Sequence, residues 1–309
     1  MIRRRLDAWL LLDKPSGITS NAALQRAKRL YRARKAGHAG TLDPLASGLL
    51  PVLFGEATKF SGFLLDSDKE YLAELCLGIS TTTGDAEGEV VARCPVAVED
   101  GQLQQALTRF RGAIDQVPPM YSALKVRGRP LYALAREGTE VERAPRRVVI
   151  SMLELQARRG DRVCLRVRCS KGTYIRSLAM DLGAQLGTGA HLASLRRTGA
   201  GGFGIGDAVS LQALEALDEP MRDRWLLPLE RLLQGLPRVD LDHAAAARFA
   251  QGRTVTAGGA LAGRCQVFDH AGRLMGVGEP DGRGELRPVR LLTRAADLLP
   301  AAPKAEKTL

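Results

Sequence analysis

Polar and apolar positions alternate most regularly over Lys69–Ile79, where Tyr71, Ala73, Leu75, Leu77 and Ile79 share one face and Glu74 and Cys76 the other. A period of two predicts a strand. Arg162–Cys169 repeats it, with Val163, Leu165, Val167 and Cys169 opposite a basic face of Arg162, Arg166 and Arg168. Shorter runs predict strands over Trp9–Leu12, Arg147–Leu155 and His191–Arg197. The period lengthens over 20–35 to that of a helix capped by Thr19 or Ser20, with Leu24, Ala27, Leu30 and Tyr31 facing inward. Further helices are predicted at Glu56–Leu65, Gln102–Phe110, Leu131–Arg136, Tyr174–Leu186 and throughout Ser210–Gln234.

The pattern divides the chain. Gly235-Leu236-Pro237 closes a mixed helix-and-strand region over 1–236 and opens a glycine-rich one over 237–309. The latter has short β-like runs at Arg253–Val255, Cys265–Phe268 and Leu274–Gly278, and predicts a small β domain with a disordered tail over Ala301–Leu309. Between Val117 and Arg147 periodicity lapses into Gly, Pro, Lys and Arg. An irregular basic insertion of this length, about 119–147, is usually functional or disordered.

Composition adds a partner class. The 309 residues carry a net charge of +11, which favours a polyanion, with nucleic acid ahead of an anionic membrane. The charge is clustered: Arg26, Lys28, Arg29, Arg32, Arg34 and Lys35 lie together without an acid, and Arg158, Arg159, Arg162, Arg166, Arg168 and Lys171 form a second group. The five scattered cysteines lack any C-x-x-C pair and read as free thiols of a reducing cytosol rather than a zinc site. The basic start has an apolar run broken by Asp13-Lys14-Pro15, too short for a signal peptide or a bilayer span, so a cytoplasmic protein is expected.

Two segments carry candidate chemistry. In GHAGTLDPLASGLLPVLFGEATKF, residues 37–60, Asp43 follows a glycine-rich approach and precedes Pro44. The local pattern predicts a loop ending at Asp43, at or near the N-cap of a short helical turn that would stabilise its charge. Such a carboxylate suits a nucleophile or base, and equally a simple cap. In KGTYIRS, residues 171–177, Arg176 falls on a first helical turn, where a cation is disfavoured unless an anion lies nearby. Gly199–Gly204 formally fits G-x-G-x-x-G but lacks the strand–helix context of a dinucleotide site.

HAGTLDPLASGLLP resembles the catalytic-aspartate motif of the TruB family of tRNA pseudouridine synthases, and KGTYIRS resembles a second motif in that family's order. The resemblance covers most of residues 9–235, and more loosely the remainder as a short PUA-like domain. It implies an α+β pseudouridine synthase fold with a mixed, mostly antiparallel sheet, no cofactor and no metal. Asp43 would be catalytic, Arg176 its partner, and Tyr174 part of the base pocket. Tyr71, in Asp68-Lys69-Glu70-Tyr71, would stack on the flipped uracil and is the candidate for removing the C5 proton. His38 would contact RNA where the base leaves its stack, Leu195 would pack on the base, and Lys14-Pro15 would adjoin the site. The run Pro119–Lys125 opens a loop that closes on RNA in this family. The implied reaction isomerises uridine 55 in the tRNA T-loop, by a monomer that grips the T-arm. Asp43 must be ionised, and Arg176 is expected to keep its pKa low despite burial. Attack on the sugar, attack on the base and abstraction of a ribose proton all remain open to it. Competing readings are a tRNA-folding chaperone without chemistry and a guide-dependent rRNA synthase of the dyskerin type, the latter disfavoured by the short C-terminal region.

Overall fold

The computed structural model describes residues 3–122, 124–126, 128–139, 141–256 and 263–292. The expected disordered tail over Ala301–Leu309 lies outside them, as does Ala123 in the basic insertion.

The apolar run after Trp9 forms β1 (Trp9–Lys14), which turns into α1 (Ser20–Leu30). Thr19 is the cap, its hydroxyl accepting from the Ala22 amide at 3.0 Å. The helix stops at Tyr31, short of residue 35, because Arg32 takes a left-handed φ of 49° and Ala33 bridges to Arg4. The basic cluster is thereby split between a helix and the turn before β2 (Ala36–His38). Next comes β3 (Ser47–Phe54), a 3₁₀ turn over Gly55–Phe60, and α2 (Ser61–Leu65), where one helix was expected.

The alternating segment is β4 (Lys69–Leu77), ended by Gly78 at φ 80° before the hairpin of β5 (Ile79–Thr81) and β6 (Val90–Arg93). Then follow α3 (Asp100–Thr108) and β7 (Gly112–Gln116). The basic insertion holds a minimal hairpin, β8 (Lys125–Val126) and β9 (Arg129–Pro130), and α4 (Leu131–Arg136). The long β10 (Arg146–Arg159) pairs with β11 (Arg162–Cys169), which leads into α5 (Ile175–Gln185) and β12 (Ala190–Ala200). Gly199 and Gly204 are cross-strand partners of β12 and β13 (Phe203–Gly204), with Gly201 and Gly202 at φ 60° and 84° between them. Two central residues at positive φ make a tight hairpin turn. The G-x-G-x-x-G string is hairpin chemistry.

After β14 (Val209–Ser210) the single helix expected to residue 234 is broken into α6 (Leu211–Ala216), α7 (Glu219–Asp223) and α8 (Leu229–Leu232). Asp218 caps α7, with Pro220 in its first turn, and Pro228 stands before α8. Proline lacks the amide a continuous helix needs.

The main sheet has ten strands, in the order β14, β1, β3, β12, β4, β11, β10, β7, with β2 on β3 and β13 on β12. Only the β1–β14 and β12–β3 pairs are parallel, so the sheet is mixed and mostly antiparallel as expected. One face packs on α1, α3, α5 and α6 through Leu24, Leu107, Leu178 and Leu214. The other buries Trp9, Leu11, Leu49 and Leu53 with Phe60, Phe203 and Leu232, and Trp9 meets Phe203 edge-on at 4.7 Å.

A separate five-stranded sheet is built from β15 (Arg238–Asp240), β16 (Val255–Thr256), β17 (Cys265–Phe268), β18 (Leu274–Pro280) and β19 (Glu285–Leu291), with α9 (His243–Ala250) packed on it. This is the small C-terminal β domain, and Val277 inserts from it into the Trp9 cluster.

Candidate active site

The segment carrying Asp43 is a loop with no helix behind it; from Ala46 it runs directly into β3. This corrects the N-cap reading. Leu49–Phe54 is buried throughout between β1 and β12, and burial on both faces fixes it as a central strand. Other elements pin the loop. Ser20, the first residue of α1, donates from Oγ to the Leu42 carbonyl at 2.9 Å and accepts from the Leu42 amide at 2.8 Å. The Gly17 amide donates to the Pro44 carbonyl at 2.8 Å, and the Ala39 amide to the Pro51 carbonyl at 3.0 Å. At Gly48, with φ 103°, an added Cβ would lie 2.2 Å from the Arg197 carbonyl oxygen, so only glycine permits that approach.

Asp43 is thus presented at the mouth of a cavity of about 480 Å³ that is also lined by His38, Leu42, Asp85, Tyr121 and Arg176. Its Oδ2 lies 2.9 Å from Nη2 of Arg176. Arg176 sits in the first turn of α5, where its charge opposes the helix dipole. The anion that position requires is present twice, because Nη1 also stands 3.5 Å from Oδ2 of Asp85. Arg176 further donates to the Tyr121 carbonyl at 2.6 Å and the Thr83 carbonyl at 3.2 Å. The arginine and Asp85 are 5% and 4% exposed and Asp43 is 41% exposed, so the aspartate is the open end of a buried array.

Burial pushes the Asp43 carboxyl above its ordinary value; Arg176 pulls it back, and the Asp85 charge pushes it up again. The net direction is upward, contrary to the expectation of a low value. One guanidinium shared between two carboxylates cannot fully offset the desolvation of both. Glu87 nearby is raised as well, by its own burial and by Asp85 and Asp43. His38 is shifted down by burial and by the Arg197 charge, and its Nδ1 has no hydrogen-bond partner among the described residues.

Of the residues expected at the site, Asp43, Arg176 and His38 line one cavity, whereas Tyr71, Tyr174, Leu195 and Lys14 do not. Tyr174 caps α5; its backbone is held by the Gln116 amide at 2.7 and 3.0 Å, and its hydroxyl lies beside Ser122 of the cavity wall. Tyr71 is half-buried on β4, and Leu195 faces Ala73 across the β12–β4 pair. Lys14 is fully buried, donating to the Pro15 and Ile18 carbonyls at 2.8 and 2.7 Å; burial lowers it to about 8, against the opposing pull of Asp43. Lys14 therefore ties the turn on which α1 begins. Asp85 and Arg197 were not singled out from the sequence. Asp85 lies in a polar loop without periodicity, and Arg197 follows Arg196 at the polar end of a predicted strand, where nothing local marks it.

The basic face of β11 requires a second correction. Arg162 pairs with Glu74 at 3.1 Å, and Arg166 and Arg168 both pair with Glu70 at 2.9 Å. Alternation assigned these arginines to one face, but the acids on that face come from β4, the next strand. Arg26, Arg29, Arg34 and Lys35 are exposed, and among the described residues none has a carboxylate within ion-pair distance. Among the described residues no group of His, Cys, Asp or Glu could hold a metal ion, and no helix is long and apolar enough to cross a membrane.

A mixed, mostly antiparallel sheet with a small β domain beside it is the pseudouridine synthase fold. Two solved structures share it over nearly the whole chain. The archaeal box H/ACA sRNP Nop10-Cbf5 complex matches with a TM-score of 0.72 at 25% identity, covering 96% of this chain and 89% of that one. A Cbf5-Nop10-Gar1 complex matches with a TM-score of 0.71 at 28% identity, covering 93% and 84%. Residues 28–175 match the TruB family pseudouridylate synthase N-terminal domain, 176–234 the tRNA pseudouridylate synthase B C-terminal domain, and 237–292 the pseudouridine synthase II TruB C-terminal domain. tRNA pseudouridine synthase B of Aromatoleum aromaticum is 55% identical over 95% of each chain, and that of Azoarcus sp. is 57% identical over 94% of this chain and 96% of its own. The chain belongs to the TruB family of tRNA pseudouridine synthases, which are isomerases.

Proposed function

We propose that the protein converts uridine 55 in the T-loop of tRNA to pseudouridine, with Asp43 as the catalytic carboxylate. The observation that carries this reading is the Asp43–Arg176 pair at 2.9 Å, its aspartate open to the cavity and its arginine buried. In the reaction the C1′–N1 bond breaks and a C1′–C5 bond forms; C5 loses a proton and N1 gains one, so the base is isomerised without any change in composition. The target lies in a folded loop, so the base is extruded toward Asp43 at a cost of about a few kcal/mol. Stacking on an aromatic face, assigned to Tyr71, returns about 1–3 kcal/mol.

In this reading Arg176 holds the Asp43 carboxylate in place and favours its ionised form against the cost of burial. His38 meets the RNA at the cavity rim. Tyr174 and Leu195 shape the base pocket, Lys14 supports it from below, and Tyr71 accepts the C5 proton. Residues 1–236 form the catalytic unit, with 237–309 an appended PUA-like domain, and the enzyme acts as a cytoplasmic monomer on the T-arm. An ionic pair at the cavity, its arginine buried and its aspartate open, favours chemistry over a purely chaperoning role. The test is to incubate the purified protein with unmodified tRNA and map pseudouridine. Modification at position 55, abolished in Asp43→Asn, is expected; a product elsewhere, or none, refutes the reading.

A further inference from the structure

Arg197 is 1% exposed, and among the described residues no carboxylate lies within ion-pair distance of it. An unpaired buried cation is expensive, and a position that retains one needs another reason for it. Its contacts supply that reason. Nε donates to the Leu49 carbonyl at 2.6 Å and Nη2 to the Gly40 carbonyl at 3.0 Å. Gly40 and Leu49 bracket the loop that carries Asp43, so one planar guanidinium clasps both ends of it. Gly40 is at φ 93°, and an added Cβ there would lie 3.2 Å from Nη1. On the opposite side, Arg197 and Tyr71 are direct cross-strand partners in the β12–β4 pair, which puts both side chains on one face of the sheet. From there the guanidinium acts on the tyrosine hydroxyl and favours its ionised form.

We propose that Arg197 is a positioning residue for the isomerisation: one edge of its guanidinium fixes the Asp43 loop, and its remaining donors and charge hold the Tyr71 hydroxyl ready to accept the proton from C5. The proposal rests on the assignment of Tyr71 as proton acceptor. In that step the C5–H bond breaks, its electron pair restores the C5–C6 double bond of the uracil, and the proton passes to the phenolate oxygen, from which water later removes it. A phenol cannot accept a proton unless it has first lost one, so a group that stabilises the phenolate is required. Burial above all, with Cys169 and Asp43, raises the Tyr71 hydroxyl above its ordinary value, and Arg197 limits that rise both as a charge and as a hydrogen-bond donor. The same charge disfavours protonation of Lys14 on β1, His38 on β2 and Lys69 on β4, so its influence reaches three neighbouring strands.

The experiment is a pH profile of the single-turnover rate on a T-arm hairpin, for wild type, Arg197→Lys, Arg197→Gln and Tyr71→Phe, with hairpin affinity measured in parallel. Arg197→Gln removes the charge, so the rising limb assigned to Tyr71 is expected to move to higher pH, with Arg197→Lys displaced less. Affinity should change by less than about threefold, because Arg197 is buried away from the RNA. Replacing Tyr71 with 3-fluorotyrosine, a more acidic phenol, should move the limb to lower pH in wild type and in each folded Arg197 variant. A uniform rate loss at every pH, with the limb unmoved, would mean that Arg197 only supports the fold, and overturns the proposal. If neither Arg197 variant folds, the fluorotyrosine protein decides: a limb that ignores it leaves no ionisation for Arg197 to assist. A fully active Tyr71→Phe instead removes the underlying assignment of Tyr71, a separate failure.

Discussion

The paired arginines of β11 and the unpaired ones of α1 predict opposite responses to salt. On the sheet face, Arg162, Arg166 and Arg168 are matched by Glu70 and Glu74 of β4, while Glu154 of β10 stands opposite Arg166 in register. Three cations against three carboxylates leave no net charge, and arginines already neutralised have few counterions to release on binding RNA. On α1, Arg26 and Arg29 are exposed and carboxylate-free, and the helix begins at Ser20 and Asn21, which line the cavity. Each phosphate contact contributes about 0.7–0.9 to the slope of log affinity against log salt. Replacing Arg26 and Arg29 together should therefore flatten the slope by about 1.4–1.8. Replacing Arg166 and Arg168 together should change it by much less than the α1 pair does. The assay is fluorescence anisotropy of a labelled T-arm hairpin over a salt series, with saturated rates as a control because none of these arginines lines the cavity. A full flattening in the β11 double variant with none in the α1 variant would place the phosphate path across the sheet and refute the charge accounting.

Three further outcomes are expected. Asp43→Asn should abolish turnover while the hairpin still binds; because the folded state raises this carboxyl, its charge opposes folding, so the melting temperature should not fall. A tenth of the wild-type rate remaining, or a lowered melting temperature, contradicts this. The acid limb of kcat/KM should fall above the ordinary aspartate value of about 4, since a raised pKa keeps Asp43 protonated and inactive to higher pH; a limb at or below about 4 contradicts the upward shift. Arg176→Lys retains the charge but loses the fork that serves Asp43, Asp85 and two carbonyls, so a rate loss of about a hundredfold or more is expected in single-turnover measurements, with near-normal activity as the contrary result.

Much of the sheet was legible because a half-buried strand records its two faces in alternate residues, as β4 and β11 do. What was missed depends on partners distant in sequence. The strand β3 contains Pro51 and reads apolar on both faces, so only its place between β1 and β12 distinguishes it from a buried helix. Pro288 similarly disguised β19. At the site, Asp43, Arg176 and His38 do share a cavity, but Asp85 becomes visible only once the loop after β5 folds over α5. The upward shift of Asp43 has the same origin: a sequence shows that an arginine is available, and only packing shows that a second acid competes for it. The neutral face of β11 was hidden because sequence alternation reports the contents of one strand and nothing about its neighbour.

Val277 of the C-terminal sheet is fully buried in the same cluster as Trp9, Leu11 and Leu49, and the Trp9 indole donates to the Pro228 carbonyl at 2.9 Å on the way between the domains. The hydrophobic seam therefore belongs to both sheets at once. Heating should melt them in a single cooperative transition, and a chain cut after Leu236 should expose the back of the main sheet and aggregate. Because the seam is shared, the outer domain stands at a set distance from the candidate cavity, and for any RNA that touched both the protein would be a caliper, admitting only folded dimensions that match the gap.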